Sequence, residues 1–344
     1  MTASPVHAPA TVGQRTGRLL GLLPAAGLLV VLATLSIALG SRDVAPLDVW
    51  AAVAGTTQGA DATVIREMRV PRTVLGILVG AALAIGGTIL QGVARNPLAD
   101  SGVLGIGAGA AAAVVVAALL FGTMPAGDAV WFAFVGAGLA TVLVYVIASF
   151  GTEGATPVKL ALAGAALTAL CASVTSAILL ADPDALNELR MWQVGALAGR
   201  YAPVLAQLWP FFAVGIAVAL FVGRPLNLLS LGDDLARALG LRLVPTRALL
   251  FAVVAVLCGA ATAACGPIVF VGLMVPHLVR LVTGPDYRWI LLYSALLGPV
   301  VVLGGDIVGR LVLASGEVPV GVVIGVIGAP VFILLVRFRR SMKL

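Results

Sequence analysis

Apolar residues run in ten long blocks along the chain, near positions 19–40, 70–93, 103–122, 130–150, 158–181, 200–222, 247–266, 268–284, 289–312 and 318–337. A helix that crosses a bilayer needs about 20 mostly apolar residues. Each block meets or approaches that length, and the eighth is the shortest. Backbone inside lipid must satisfy its own hydrogen bonds, and the Ala, Leu and Val content of the blocks favours helices over barrel strands. The longest polar connection, residues 41–69, is too short to hold a soluble domain. The pattern therefore predicts an all-α, polytopic membrane protein. Its single transmembrane domain covers residues 19–344, after a polar tail at 1–18.

Composition sharpens this reading. Of the 344 residues, 61% are hydrophobic and 10% charged, whereas soluble domains are roughly 45–50% apolar and about 25% charged. The mean hydropathy is +1.12. A soluble enzyme, a secreted disulfide scaffold and a disordered chain are excluded. Arg15 and Arg18 precede the first block in the manner of a signal peptide. No A-x-A site follows, so an uncleaved first helix with a cytoplasmic N-terminus is expected. With ten spans both termini lie inside. Seven arginines then face out, namely Arg42, Arg66, Arg69, Arg72, Arg190, Arg200 and Arg310, against fourteen cations inside. That distribution obeys the positive-inside rule. The net charge of +6 thus reports topology and not nucleic-acid binding.

Chemistry is sparse. Cys171, Cys258 and Cys265 form no C-x-x-C pair, and the histidines are His7 and His277, which argues against a metal site built from Cys and His ligands; no cofactor is expected. Neither Lys159 nor Lys343 sits in a G-x-x-x-x-G-K-[ST] loop, so the chain cannot hydrolyse ATP through a P-loop of its own. No Ser-His-Asp or H-E-x-x-H arrangement supports an intramembrane enzyme. Asp306 is the clearest intramembrane carboxylate, and Arg310, four residues on, can pair with it on one helix face. One paired Asp is poor support for an ion-coupled secondary transporter. Gly76 and Gly80, and Gly321, Gly325 and Gly328, have the small-xxx-small spacing that lets helices approach closely in lipid.

The connection between the sixth and seventh blocks, GRPLNLLSLGDDLARALGLR at 223–242, reads as a short amphipathic helix-turn-helix. Leucines such as Leu231, Leu235 and Leu239 alternate with Asp233, Asp234 and Arg237, and Gly232 and Gly240 punctuate it. An apolar face outside the bilayer needs either a protein partner or the headgroup layer.

Several blocks together carry a resemblance. RVPRTVLGILVGAALAIGGTILQ (69–91), RNPLADSGVLG (95–105), CGPIVFVGLMVPHLVR (265–280), DIVGR (306–310), EVPVGV (317–322) and GAPVF (328–332) resemble the FecCD-like permease family of ABC importers for iron–siderophores, haem and cobalamin. MWQVGALAGRY (191–201) is most similar to the ferric-siderophore members. The resemblance implies a ten-helix, type II importer permease in the bacterial cytoplasmic membrane. It also implies a second permease, identical or similar, cytoplasmic ATPase subunits and an extracytoplasmic binding protein. Haem or cobalamin is the alternative cargo. Residues 223–246 match the family's coupling loop, so Leu231, Asp233, Asp234, Leu235, Arg237, Leu239 and Gly240 are expected to meet the ATPase. Arg69, Arg72 and Arg310 match positions that face acidic residues of the binding protein, although arginines at span ends also snorkel to headgroups. Gln91 and Asn96 can line the pathway or join helices. Residues 152–159 match the inner gate, with Pro157 and Val158 where family members carry small hydroxyl residues.

Overall fold

A computed structural model describes residues 17–40, 46–122, 124–151, 155–181, 189, 192–199, 202–313 and 316–341. Arg15, Arg42, Arg190, Arg200, Lys343 and gate positions 152–154 fall outside them. The first helices are α1 (Leu22–Ala38), α2 (Pro46–Val53), α3 (Ala60–Thr63), α4 (Val70–Val93), α5 (Ile106–Phe121), α6 (Ala126–Ser149) and α7 (Pro157–Ala181). They continue as α8 (Ala202–Phe221), α9 (Gly223–Ser230), α10 (Asp233–Ala238), α11 (Leu243–Cys265), α12 (Val271–Thr283), α13 (Tyr287–Leu311) and α14 (Val320–Ser341). Each expected apolar block holds one helix. Seven are long and apolar enough to cross a membrane alone, whereas those of α5, α12 and α14 are shorter apolar helices.

The bundle is organised around α4, which packs against α8, α11, α12 and α13. Small residues make this possible. A Cβ on Gly80 would stand 2.6 Å from the Gly298 carbonyl oxygen and from Pro299, and Gly87 lies against the backbone of Gly272. Lipid supplies no hydrophobic drive between helices, so contact of this closeness is what holds them. A buried hydrogen bond of 3.0 Å between the Thr88 and Ser294 hydroxyls ties α4 to α13 again. Gly76, by contrast, meets the Leu303 side chain. The expected stripe on α14 does not form one interface. Gly321 touches Val194 and Gly195, Gly328 touches Phe270, and Gly325 faces open space.

At 13 residues, α12 is about 20 Å long, well short of a hydrocarbon core of about 30 Å. The remainder is irregular chain at 266–270, with Gly266 and Phe270 at positive φ. Non-helical backbone at that depth must be covered by protein. Residues 192–199 supply the cover: Ala196 N–H donates to the Cys265 carbonyl at 2.8 Å, and Gly195 accepts from Gly321 N–H at 2.9 Å.

The connection at 46–69 is more ordered than its polarity suggests. Val49, Ala52, Ala62 and Ile65 form a second buried cluster over α2, α3 and a π-helical turn at Val64–Arg69. Arg66 fastens it by donating to the Ala52 and Thr57 carbonyls at 2.5 and 2.8 Å.

Candidate functional site

Two clusters lie at opposite ends of α4 and α13. The first contains α9 and α10. Gly232 and Gly240, at φ +105° and +86°, break the chain on either side of α10, because the left-handed region costs a residue with a Cβ more than it costs glycine. The break turns the two short helices so that Leu226, Leu229 and Ala236 are buried against the bundle. Leu231, Leu235 and Leu239 point the other way and are 54%, 57% and 58% exposed. The amphipathic reading holds, and the exposed face is a row of leucines.

This outward face rests on a fixed base. Asp233, in the first turn of α10, pairs with Arg247 of α11 at 2.9 Å and with Arg95 beyond α4 at 3.4 Å. Asn227 Nδ2 donates to Asp286 Oδ1 at 2.7 Å, and Asn227 Oδ1 accepts from Tyr287 N–H at 2.9 Å. Asp286 also caps α13 by accepting from Arg288 N–H. The loop is thereby bonded to α4, α11 and α13 together. Asp234 and Arg237, 3.4 Å apart, remain at the surface. Nothing in the local sequence marks Asn227, whose partner lies 59 residues away.

The second cluster joins α1, α4, α13 and the segment before α14. Asp306 and Arg310 pair within α13, each side chain 2% exposed, as the spacing predicts. Arg72 donates to Asp306 at 2.7 Å and reaches Glu317 at 2.8 Å. Two arginines then close the C-terminus of α1. Arg310 Nη1 donates to the Ser36 and Leu39 carbonyls at 2.8 and 3.0 Å. Arg69 Nη1 donates to the Ile37 and Ala38 carbonyls at 3.1 and 2.7 Å. The last carbonyls of a helix lack intrahelical partners and carry the negative end of its dipole. Three guanidiniums are thus balanced by two carboxylates and a helix end. Arg69 and Arg310, expected to face the binding protein, are buried against the end of α1. Arg72 lines an open cleft of about 330 Å³ with Asp306 and Glu317.

The four residues suggested for the pathway separate. Gln91 is buried and fully engaged: its Nε2 donates to the Gly272 carbonyl at 3.1 Å, and its Oε1 accepts from Arg280 at 2.5 Å. It joins α4 to α12. Asn96 Oδ1 accepts from Leu98 N–H at 3.0 Å in the turn after α4. Asn96 and Pro157 border one cavity of about 140 Å³, together with Asp100. Burial pushes the Asp100 carboxyl up, against the opposing pull of the Ser101 and Gly102 amides. Val158 faces outward. His277 is buried and meets Phe332 edge-on with ring centroids 6.1 Å apart. Among the described residues no group of His, Cys, Asp and Glu is arranged to hold a metal ion.

Comparison with known proteins is consistent in its direction. Residues 28–338 match the FecCD transport family. The ferric enterobactin transport system permease protein FepD of Escherichia coli is 44% identical, over 90% of this chain and 92% of that protein. The iron(3+)-hydroxamate import system permease protein FhuB of Bacillus subtilis is 39% identical, over 94% of this chain and 84% of that one. A solved structure described as an inward-facing conformation of a metal-chelate type ABC transporter superposes with a TM-score of 0.80 at 26% identity, covering 93% of this chain and 99% of that one.

Proposed function

Because the chain belongs to the FecCD transport family, we propose that it is the permease subunit of an ATP-driven importer of ferric siderophores, seated in a bacterial cytoplasmic membrane. It is a multi-span transport permease and not an enzyme. The chain lacks a P-loop, so ATP hydrolysis is assigned to a separate subunit. The orientation adopted puts the α10 end and both termini in the cytoplasm, following the excess of cations on that side.

The observation that carries the reading is the leucine row on α10. Leu231, Leu235 and Leu239 are exposed on a helix pair whose other face is buried, and the loop lies outside the helices apolar enough to span a membrane. In this reading the row seats in a groove of the ATPase, and each leucine contributes about 1.5–3 kcal/mol if fully covered. Movement of the ATPase then passes through Asn227 and Asp286 into α13, and through Asp233 and Arg95 into α4. These helices touch at Gly80 and Gly298 and again at Thr88 and Ser294, so they carry the displacement to the opposite end as one unit. The result is alternating access: cargo delivered on the outer side is released inside when the ATPase cycle shifts the helices. A second permease, a copy or a similar chain, completes the pathway.

On the outer side the binding protein is expected near Arg72. Of the three arginines assigned to docking, it is the one that opens into a surface cleft, with Glu317 as a partner that an acidic residue of the binding protein can replace. Arg69 and Arg310 support that surface from below by holding α1.

The cargo is tested by uptake of radiolabelled ferric enterobactin in cells that express the chain with its ATPase and binding protein. Uptake should require the chain and persist under excess cobalamin or haem. Uptake that survives deletion of the chain, or that cobalamin or haem abolishes, contradicts the assignment.

A further inference from the structure

A concavity of about 240 Å³ opens where the coupling loop meets the ends of three long helices. Arg280 enters it from the end of α12 and Tyr287 from the start of α13. Gln91 enters from α4, Arg95, Asn96 and Pro97 from the turn after it, and Ser230 from the last turn of α9. Arg95, Asn96, Pro97 and Ser230 are exposed, so the concavity is open to the surface. Ser230 directly precedes Leu231, the first member of the leucine row.

Its chemistry is that of an anion receptor set in advance. Gln91 is 1% exposed, and its amide nitrogen is fixed on the Gly272 carbonyl, which leaves its oxygen to accept from Arg280 Nη1. The same guanidinium lies over the Tyr287 ring, 5.6 Å from its centre. An amide oxygen and an aromatic face orient a guanidinium without neutralising it. Among the described residues the nearby carboxylates are engaged elsewhere: Asp233 holds Arg247 and Arg95, and Asp286 accepts from Asn227 and Arg288 N–H. A guanidinium oriented in this way suits a carboxylate or a phosphate. A phospholipid also needs an apolar wall for its chains, and apart from Pro97 and the Tyr287 ring this lining is polar. Continuity with the leucine row favours a carboxylate carried by the protein that covers that row.

We propose that this concavity receives an acidic side chain of the ATPase, a second contact beside the leucine row; the proposal rests on the row being the ATPase seat. The carboxylate accepts from Arg280, with the Asn96 amide and the Ser230 hydroxyl at the rim. The two contacts differ in what they move. The row acts on α13 through Asn227 and on α4 through Asp233 and Arg95. The carboxylate acts on α12 directly through Arg280, and on α4 through Gln91.

The test titrates the purified ATPase onto the full chain in mild detergent, at low and at high salt. Arg280→Gln should weaken binding about tenfold at low salt, and Arg280→Lys, which keeps the charge, should recover most of it. Asn96→Asp sets a carboxylate at the rim while its Oδ1 can still accept from Leu98 N–H. It leaves Gln91 and Arg280 in place, so it carries the test even if Arg280→Gln accumulates poorly, and it should weaken binding to a similar degree. Both losses should shrink at high salt, because salt screens an exposed ionic contact. Leu235 and Leu239 changed together to Asp probe the row itself, and an ATPase that still binds that variant overturns the coupling reading and the second contact with it. Where that variant fails to bind, unchanged affinity in Arg280→Gln and Asn96→Asp overturns the second contact alone. A loss in Arg280→Gln that is equal at both salts does the same, since it reports a broken joint between α4 and α12. So does loss of a co-purified anionic phospholipid from Arg280→Gln at unchanged ATPase affinity, which makes the concavity a headgroup site.

Discussion

At the α10 end Leu231, Leu235 and Leu239 stand more than half exposed, while at the opposite end Arg69 and Arg310 are buried against the last turn of α1. Both sets were expected to face a partner. They differ in what the fold itself offers them. A guanidinium finds carbonyls, a helix dipole and Asp306 within the bundle, so it can be satisfied without leaving the chain. The leucine row of α10 has its buried counterpart, Leu226, Leu229 and Ala236, already on the other side, and none of the described residues covers it. An exposed apolar row therefore says more about a missing partner than a charged residue at a helix end does.

The comparison can be broken most severely at Asp306. Asp306→Ala leaves Arg310 buried without its carboxylate and strips Arg72 of one of two partners. Removing one member of a buried pair costs about 3–5 kcal/mol. Thermal unfolding in detergent should show a large loss, whereas Asp234→Ala at the exposed end should leave the midpoint unchanged.

A smaller loss is expected between the ends. Gly80→Val pushes a branched side chain into the Gly298 and Pro299 backbone, where a Cβ alone already comes within 2.6 Å. Overpacking of this kind costs about 1–3 kcal/mol. Gly325→Val, into open space, is the matched control and should unfold with the wild type.

Asn227→Ala sharpens the comparison more gently. It removes two hydrogen bonds between α9 and the start of α13, worth together about 1–3 kcal/mol. The leucine row stays in place, so the ATPase should still co-purify. Cargo moved per ATP hydrolysed should fall, because the loop is no longer bonded to α13. Unchanged stoichiometry would remove Asn227 from the transmission path.

How far each end was legible follows the same physics. The ten helices were readable because each lies in its own long apolar block, although the blocks did not show that α5, α12 and α14 are shorter apolar helices. The Asp306–Arg310 pair was readable because a four-residue step is local. The amphipathic loop was readable from its own leucines and the glycines at 232 and 240. What could not be read depends on which helix lies beside which. Arg72 meets Asp306 across 234 residues, and Arg310 reaches Ser36 across 274. No local pattern distinguishes an arginine that caps a distant helix from one that awaits a binding protein. Gln91, open between pathway and helix joint, likewise finds its partners far along the chain, in Arg280 and the Gly272 carbonyl. The cluster at 46–69 was missed because each of its elements is too short to show a period.

The leucine row is tested most directly by replacing Leu235 and Leu239 together with Asp and purifying the chain from membranes that also express its ATPase. Both residues lie outside the spans and are exposed, so the double variant should insert and unfold as the wild type does. It should fail to bring down the ATPase and should not transport. A double variant that retains its ATPase and its uptake would contradict the account, leaving α10 as a surface helix with no part in coupling.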